Sequence, residues 1–210
     1  MADSPEPQWL VWARELQAIA QNGLTFSRDD YDIARYHAVR EIAASMMAAG
    51  SGTDQALIVD LFAKQSGYAT PKVDVRGAVF RDDGILLVRE RSDGRWALPG
   101  GWADINQSAS HAMIREIREE SGFEVAVRKL AAVYDRGRHD HNPPFPFHVY
   151  KMFFLCDITG GAAQPSEETS AVDFFPLDAL PELSLGRVLP KQIQRMFEHR
   201  ARPDLPTDFD

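Results

Sequence analysis

Residues 100–123 read Gly100-Gly101-Trp102-Ala103-Asp104-Ile105-Asn106-Gln107-Ser108-Ala109-Ser110-His111-Ala112-Met113-Ile114-Arg115-Glu116-Ile117-Arg118-Glu119-Glu120-Ser121-Gly122-Phe123. The second half has the character of a short helix, on which positions i, i+3 and i+4 are neighbours, so Glu116, Glu119 and Glu120 share one face. This arrangement works against its own helix. The like-charged pair Glu116 and Glu120 costs roughly 0.2–0.5 kcal/mol. The three carboxylates also sit in the last turns before Gly122, where the helix dipole favours cations. Arg115 and Arg118 offset only part of the repulsion. A cation among these side chains resolves the conflict, and hard oxygen donors suit Mg²⁺ or Mn²⁺.

The stretch resembles the signature box of the Nudix hydrolases. Gly101 matches the opening glycine, and Arg115-Glu116-Ile117-Arg118-Glu119-Glu120-Ser121-Gly122 matches the closing block in register. Gln107 stands where the family has its first Glu, and Phe123 is a looser match for the last aliphatic position. The resemblance implies an α+β fold, a Nudix-like α/β/α sandwich with a mixed sheet. It implies divalent-metal-dependent hydrolysis of the pyrophosphate bond in a nucleoside diphosphate linked to another group. Such a substrate is dense in negative charge, so a metal ion must neutralise it and activate the attacking water. By the same resemblance Glu116 and Glu120 are the principal ligands for Mg²⁺ (or Mn²⁺). Glu119 is a further ligand and catalytic group, and the Gly100 carbonyl completes the set. Arg115 orients the carboxylates. Gln107 can still accept a hydrogen bond from Arg115, although more weakly than a carboxylate would. In several family members a general base lies on a downstream loop, and Glu168 in Ser166-Glu-Glu-Thr-Ser170 occupies that place.

A wider resemblance runs through Arg14-Glu-Leu-Gln-Ala-Ile-Ala-Gln-Asn-Gly-Leu-Thr25, Gly67-Tyr-Ala-Thr-Pro-Lys-Val-Asp-Val-Arg-Gly-Ala-Val-Phe80 and Leu183-Ser-Leu-Gly-Arg187. These segments look like a Nudix subfamily with a helical N-terminal extension, to which CDP-choline pyrophosphatase belongs. The resemblance implies CDP-choline as substrate, cleaved to CMP and phosphocholine, with ADP-ribose as the enzymatic alternative. It also implies a homodimer formed through the N-terminal helices. The rival from another class is a Nudix-fold nucleotide sensor without turnover.

Composition is that of an ordinary globular chain, with 44% hydrophobic and 26% charged residues in a length of 210. The net charge of −8 comes without any basic run, so a nucleic-acid backbone is not an expected partner. The single cysteine, Cys156, lies in an apolar run and reads as a buried small hydrophobe in a reducing cytoplasm. Met1-Ala-Asp-Ser-Pro-Glu-Pro7 lacks the apolar core of a signal peptide, and no stretch is apolar enough to predict a membrane span.

Around the box, the first third reads as helical. Gln8–Gln21 carries Trp9, Trp12, Leu16 and Ile19 at helical spacing and should stop at Asn22-Gly23. Ser27-Arg-Asp-Asp30 resembles a capping box that starts a second helix with an apolar face through Tyr31, Val39, Ile42, Met46 and Met47. A third helix from near Thr53 should bury Leu57, Ile58, Leu61 and Phe62. Ala69-Thr-Pro71 breaks the pattern, which places the helical domain at 1–68 and the catalytic domain at 69–210. Val73–Phe80 and Ile85–Val88 alternate as a hairpin about Asp82-Asp83-Gly84. Strands follow near Val125–Asp135, Phe147–Asp157 and Val172–Phe175, then a helix near Pro190–His199 and a tail expected to be loosely ordered.

Asp135-Arg-Gly-Arg-His-Asp-His-Asn-Pro-Pro-Phe-Pro-Phe-His148 is too long for a plain hairpin turn and reads as a loop at the pocket mouth, with Arg136, Arg138 or His139 near phosphate. The spacing of His139 and His141 does not match a zinc site. Trp96, Trp102 and Phe147 are candidates to stack a base, although core packing is the commoner use of such side chains.

Overall fold

The computed structural model describes residues 6–210. Residues 1–5, most of the acidic Met1–Pro7 segment, lie outside the described residues. The chain forms two compact units. One is Met1–Pro71 with Gly137–Asp140 and Pro144–His148; the other is Lys72–Arg136, His141–Pro143 and Val149–Asp210. The division falls at Pro71, close to the expected boundary, but two pieces of the long loop group with the helices.

In the first unit, α1 (Gln8–Phe26) runs straight through Asn22-Gly23, where the sequence predicts its end. The reason is packing. A Cβ on Gly23 would lie 2.4 Å from the Tyr36 ring of α2 (Asp30–Ser51), and one on Gly50 would lie 2.2 Å from the Trp9 ring. These glycines let two antiparallel helices approach closely, so Gly23 is a contact residue and not a terminator. The cap of α2 is Asp29, which accepts from the Asp32 N–H at 3.0 Å, and not Ser27. Asp54 caps α3 (Gln55–Ala63). The core of this unit is Leu10, Ala13, Ala43, Ala44, Met47, Ile58 and Phe62. Tyr31, Ile42 and Leu57, expected inside, are exposed, and α2 instead buries Ala43, Ala44 and Met47. Arg14 reaches the Phe145 carbonyl with Nε at 3.1 Å, which ties the Pro144–His148 segment into this unit.

The second unit is a mixed-sheet α/β/α sandwich. β1 (Lys72–Arg81) and β2 (Gly84–Glu90) make the expected hairpin, with Phe80 opposite Ile85. β1 also pairs in parallel with β5 (Val149–Gly161), which pairs antiparallel with β4 (Phe123–Asp135). β3 (Trp96–Ala97) and β6 (Thr169–Phe175) both line β2. The box helix α4 (Ala109–Ser121) covers one face, with Ala112, Met113 and Ile117 against Val75, Val79 and Leu86. α5 (Pro190–Ala201) covers the other, with Ile193 and Met196 against Ala78, Ile85, Leu87 and Phe153. Cys156 is buried, as its apolar run predicts.

The tail departs from expectation. It ends in β7 (Asp208–Phe209), which pairs in parallel with β4. Asp208 accepts from Tyr134 OH at 3.2 Å and Arg195 Nη2 at 2.8 Å, and lies 3.1 Å from His199 Nε2. Isolated polar residues late in a sequence carry no sign of such partners. Among the described residues, no helix is long and apolar enough to cross a membrane.

Candidate active site

The box helix α4 takes both of its ends from its own sequence. Ser108 is the N-cap and its Oγ accepts from the His111 N–H at 3.3 Å. Gly122 ends it in the left-handed conformation. Between the caps, the apolar positions face the sheet, which leaves Glu116 and Glu120 against the turn that enters the box. Gly100 occupies a conformation with φ of 142°, and a Cβ there would lie 2.0 Å from the Val75 carbonyl oxygen. Only glycine fits. The Gly100 N–H donates to Glu120 Oε2 at 2.8 Å, and the Gly101 backbone lies beside the Glu116 carboxylate. Two carboxylates and the Gly100–Gly101 turn are thus brought together.

Arg115 gathers the exposed side of the cluster. Its Nη2 donates to Glu116 at 2.8 Å and Asp104 at 2.9 Å, and its Nη1 donates to Glu119 at 2.7 Å. Its Nε reaches Gln107 Oε1 at 3.3 Å, so the amide accepts from Arg115 as expected of it. Glu119 stands apart from the other two carboxylates: its side chain is 58% exposed and ion-paired with Arg115. Burial pushes the Glu120 carboxyl up to about 8, opposed by the Arg76 charge and the Gly100 N–H and reinforced by Glu90 and Glu116. Burial also raises Glu116, against the pull of Arg115.

Among the described residues, no three His, Cys, Asp or Glu side chains stand close enough to hold a metal ion by themselves. The donor set nevertheless fits Mg²⁺, which is bound through one or two carboxylates and keeps other oxygen ligands. Glu116 and Glu120 are partly desolvated, mutually repulsive and set against the Gly100–Gly101 backbone. A hard cation relieves that conflict.

Glu168 is exposed on a loop that is well anchored. Its carbonyl accepts from the Arg91 N–H at 2.9 Å, and Thr169 Oγ1 donates to the Glu120 carbonyl at 2.8 Å. The loop is therefore hydrogen-bonded to the end of the box helix. The residues expected near phosphate divide between the two units. Arg136 is buried, with Nη2 donating to the Pro143 carbonyl at 2.7 Å, so it holds the loop. Arg138 and His139 belong to the helical unit. Trp96 packs edge-on to Phe175 with centroids 4.8 Å apart, which makes it a core residue. Phe147 pairs with Phe145 in the helical unit, whereas Trp102 stays exposed.

Sequence reasoning passed over a buried charged group on the strands: Asp74, Arg76, Lys151 and Glu90. In the run Val73-Asp-Val-Arg a period of two sets Asp74 and Arg76 on the face opposite the valines and says nothing of whether that face is covered. The Leu183–Arg187 segment did stand out. Its Arg187 binds Glu90 with Nε at 3.0 Å, Asp93 with Nη1 at 3.3 Å and Ser92 with Nη2 at 3.1 Å.

A glycine turn laid against a carboxylate helix, on one face of a mixed sheet, defines a hydrolase of the Nudix class. The NUDIX domain profile matches residues 70–196, and the profile described as a UDP-X-like N-terminal oligomerisation domain matches residues 7–62. The chain belongs to the Nudix family. It is 45% identical over 205 residues to YjhB of Bacillus subtilis (strain 168), covering 98% of each chain; that protein bears a provisional ADP-ribose pyrophosphatase name. A structure titled as an ADP-ribose pyrophosphatase from Streptococcus suis 89-1591 is 42% identical with a TM-score of 0.61, over 67% of this chain and 100% of that one. A structure titled UDP-X diphosphatase is 30% identical with a TM-score of 0.62, over 99% of this chain and 100% of that one.

Proposed function

We propose that the protein hydrolyses the pyrophosphate bond of ADP-ribose, giving AMP and ribose 5-phosphate, at a divalent cation held by Glu116, Glu120 and the Gly100 carbonyl. The observation that carries the reading is the convergence of the buried Glu120 and half-buried Glu116 carboxylates on the Gly100–Gly101 turn. When bound, Mg²⁺ or Mn²⁺ neutralises the pyrophosphate and lowers the pKa of the attacking water. Arg115 holds the Glu116 and Glu119 carboxylates, and Glu119 would be a further ligand to the cation. The Glu168 carboxylate takes the proton from the attacking water, its loop held against Glu120 by Thr169. ADP-ribose comes first because the full-length relative and one solved relative carry that name.

CDP-choline, cleaved to CMP and phosphocholine, is the second reading. It is favoured by the full-length match to a UDP-X diphosphatase, whose title names a pyrimidine nucleotide, and by the matching N-terminal profile. The same profile supports a homodimer built through α1 and α2. The reading places the enzyme in the cytoplasm, with Cys156 reduced.

The test is chromatography of products after incubation with Mg²⁺ or Mn²⁺ and a panel of ADP-ribose, CDP-choline, NADH, dinucleoside polyphosphates and capped RNA. Fastest release of AMP from ADP-ribose is expected. Faster release of CMP from CDP-choline reverses the substrate order. No turnover with either metal leaves the non-catalytic sensor.

A further inference from the structure

Strands β5, β1 and β2 are neighbours, and they carry buried charges that the metal ligands do not account for. Lys151 is 2% exposed and donates to Asp74 Oδ1 at 2.6 Å across the parallel β1–β5 pair. Arg76, 4% exposed, grips the same carboxylate with Nε at 2.9 Å and Nη2 at 2.7 Å. Its remaining terminal nitrogen, Nη1, donates to the Leu98 carbonyl at 3.1 Å. A planar guanidinium has a fixed fork, so a partner that holds two of its nitrogens also fixes where the third points.

Leu98 starts the turn that enters the box. The backbone of β1 holds the rest of that turn: the Gly77 N–H donates to the Pro99 carbonyl at 2.9 Å, and the Val75 N–H to the Gly101 carbonyl at 2.8 Å. Gly100, between them, donates its N–H to Glu120. The Arg76 side chain thus fixes the start of this turn, and the Arg76 charge also acts on Glu116, Glu120 and Glu90. On the far side, Glu90 is held by Arg187. Keeping a buried charge cluster for stability alone is a poor use of these residues, since replacing a whole buried ion pair by apolar residues of like size is often neutral or stabilising.

We propose that Arg76 is a positioning residue of the metal centre: with Asp74 and Lys151 holding it, its guanidinium fixes the Leu98–Gly100 turn and so aims both the Gly100 carbonyl and Glu120 at the cation. The proposal rests on Glu116 and Glu120 being the ligands. It is tested without substrate, by titrating Mn²⁺ and following the free-ion paramagnetic resonance signal. The proteins are wild type, Arg76→Gln, Arg76→Lys and the apolar triple Asp74→Leu/Arg76→Met/Lys151→Met. Mn²⁺ affinity should fall about tenfold or more in Arg76→Gln and in the triple variant. Arg76→Lys, with charge but no fork, should lie between them and wild type. At saturating metal, KM for substrate should stay within about twofold of wild type, as for a group that acts on the cation site alone.

The triple variant reads the same quantity if Arg76→Gln does not fold. Unchanged Mn²⁺ affinity in a folded variant overturns the proposal. So does a raised substrate KM with normal metal affinity, which makes Arg76 a substrate contact. Absence of Mn²⁺ binding by wild type removes the ligand assignment and the positioning role together, and is thereby distinguished from a failure at Arg76 alone.

Discussion

Glu120 concentrates the chemistry of the site in one side chain. It is buried, hydrogen-bonded to Gly100 and flanked by Glu116 and Glu90. Because burial lifts its carboxyl to about 8, the folded metal-free protein holds a proton there that the unfolded chain releases near pH 4. The folded state binds more protons, so metal-free stability is full below the unfolded pKa and is lost as pH rises through the folded one. Glu116 is raised too and adds with the same sign. The melting temperature without metal should therefore fall from pH 5 to pH 8, and the increase caused by Mg²⁺ should grow over that interval, since the cation replaces the proton. Glu120→Gln should flatten both trends and cost several tenfold steps of rate, each about 1.4 kcal/mol. Near-normal turnover in that variant removes Glu120 from the ligand set. At the neighbouring position, Gln107→Glu should strengthen the hold on Arg115 and raise metal affinity modestly. A sharp fall in activity there shows that the amide itself is needed.

Among the elements, the ones with complete local signals were legible. The box helix has its Ser108 cap, its apolar stripe and its Gly122 stop, and it runs as read. The Asp82-Asp83 hairpin is equally local. The sequence predicts too short an α1 because Gly23 has two uses, and only the neighbouring Tyr36 ring tells which one applies. The C-terminal strand β7 was missed for a related reason: its two residues gain stability from partners distant in sequence. Asp208 lies against Arg195, His199 and Tyr134, and Arg195 and His199 hold its carboxyl far below the ordinary range. Asp208→Ala should destabilise by about 1–3 kcal/mol, because it strips a charged acceptor from the fully buried His199. In a chain of this size that is a melting shift of about 2–4 °C per kcal/mol. A depressed carboxyl contributes above its unfolded pKa, so the deficit should shrink in acid. A variant that melts like wild type at neutral pH assigns β7 no stabilising role.

Across the whole molecule, the helical unit leaves apolar surface unaccounted for. Trp12, Ile19 and Phe26 are 52%, 54% and 66% exposed and recur at heptad spacing on one face of α1, with Ile42 exposed on α2. Single scattered apolar residues need no partner, but a stripe on a unit with a small core does. The expected outcome is a dimer by light scattering at micromolar concentration. Trp12→Asp/Ile19→Asp should convert it to a monomer that keeps its helical circular dichroism, and a monomeric wild type sinks the idea. The sequence alone determined the family, the box helix and the glycine turn, because each is written in residues adjacent along the chain or at a helical period. Tertiary structure decided which apolar stripe is inside, where Arg136 is spent, that the tail becomes a strand, and that Asp74, Arg76 and Lys151 meet behind the Leu98–Gly101 turn. Those outcomes depend on partners distant in sequence, and the burial that gives a charge its importance exists only once the strands have paired.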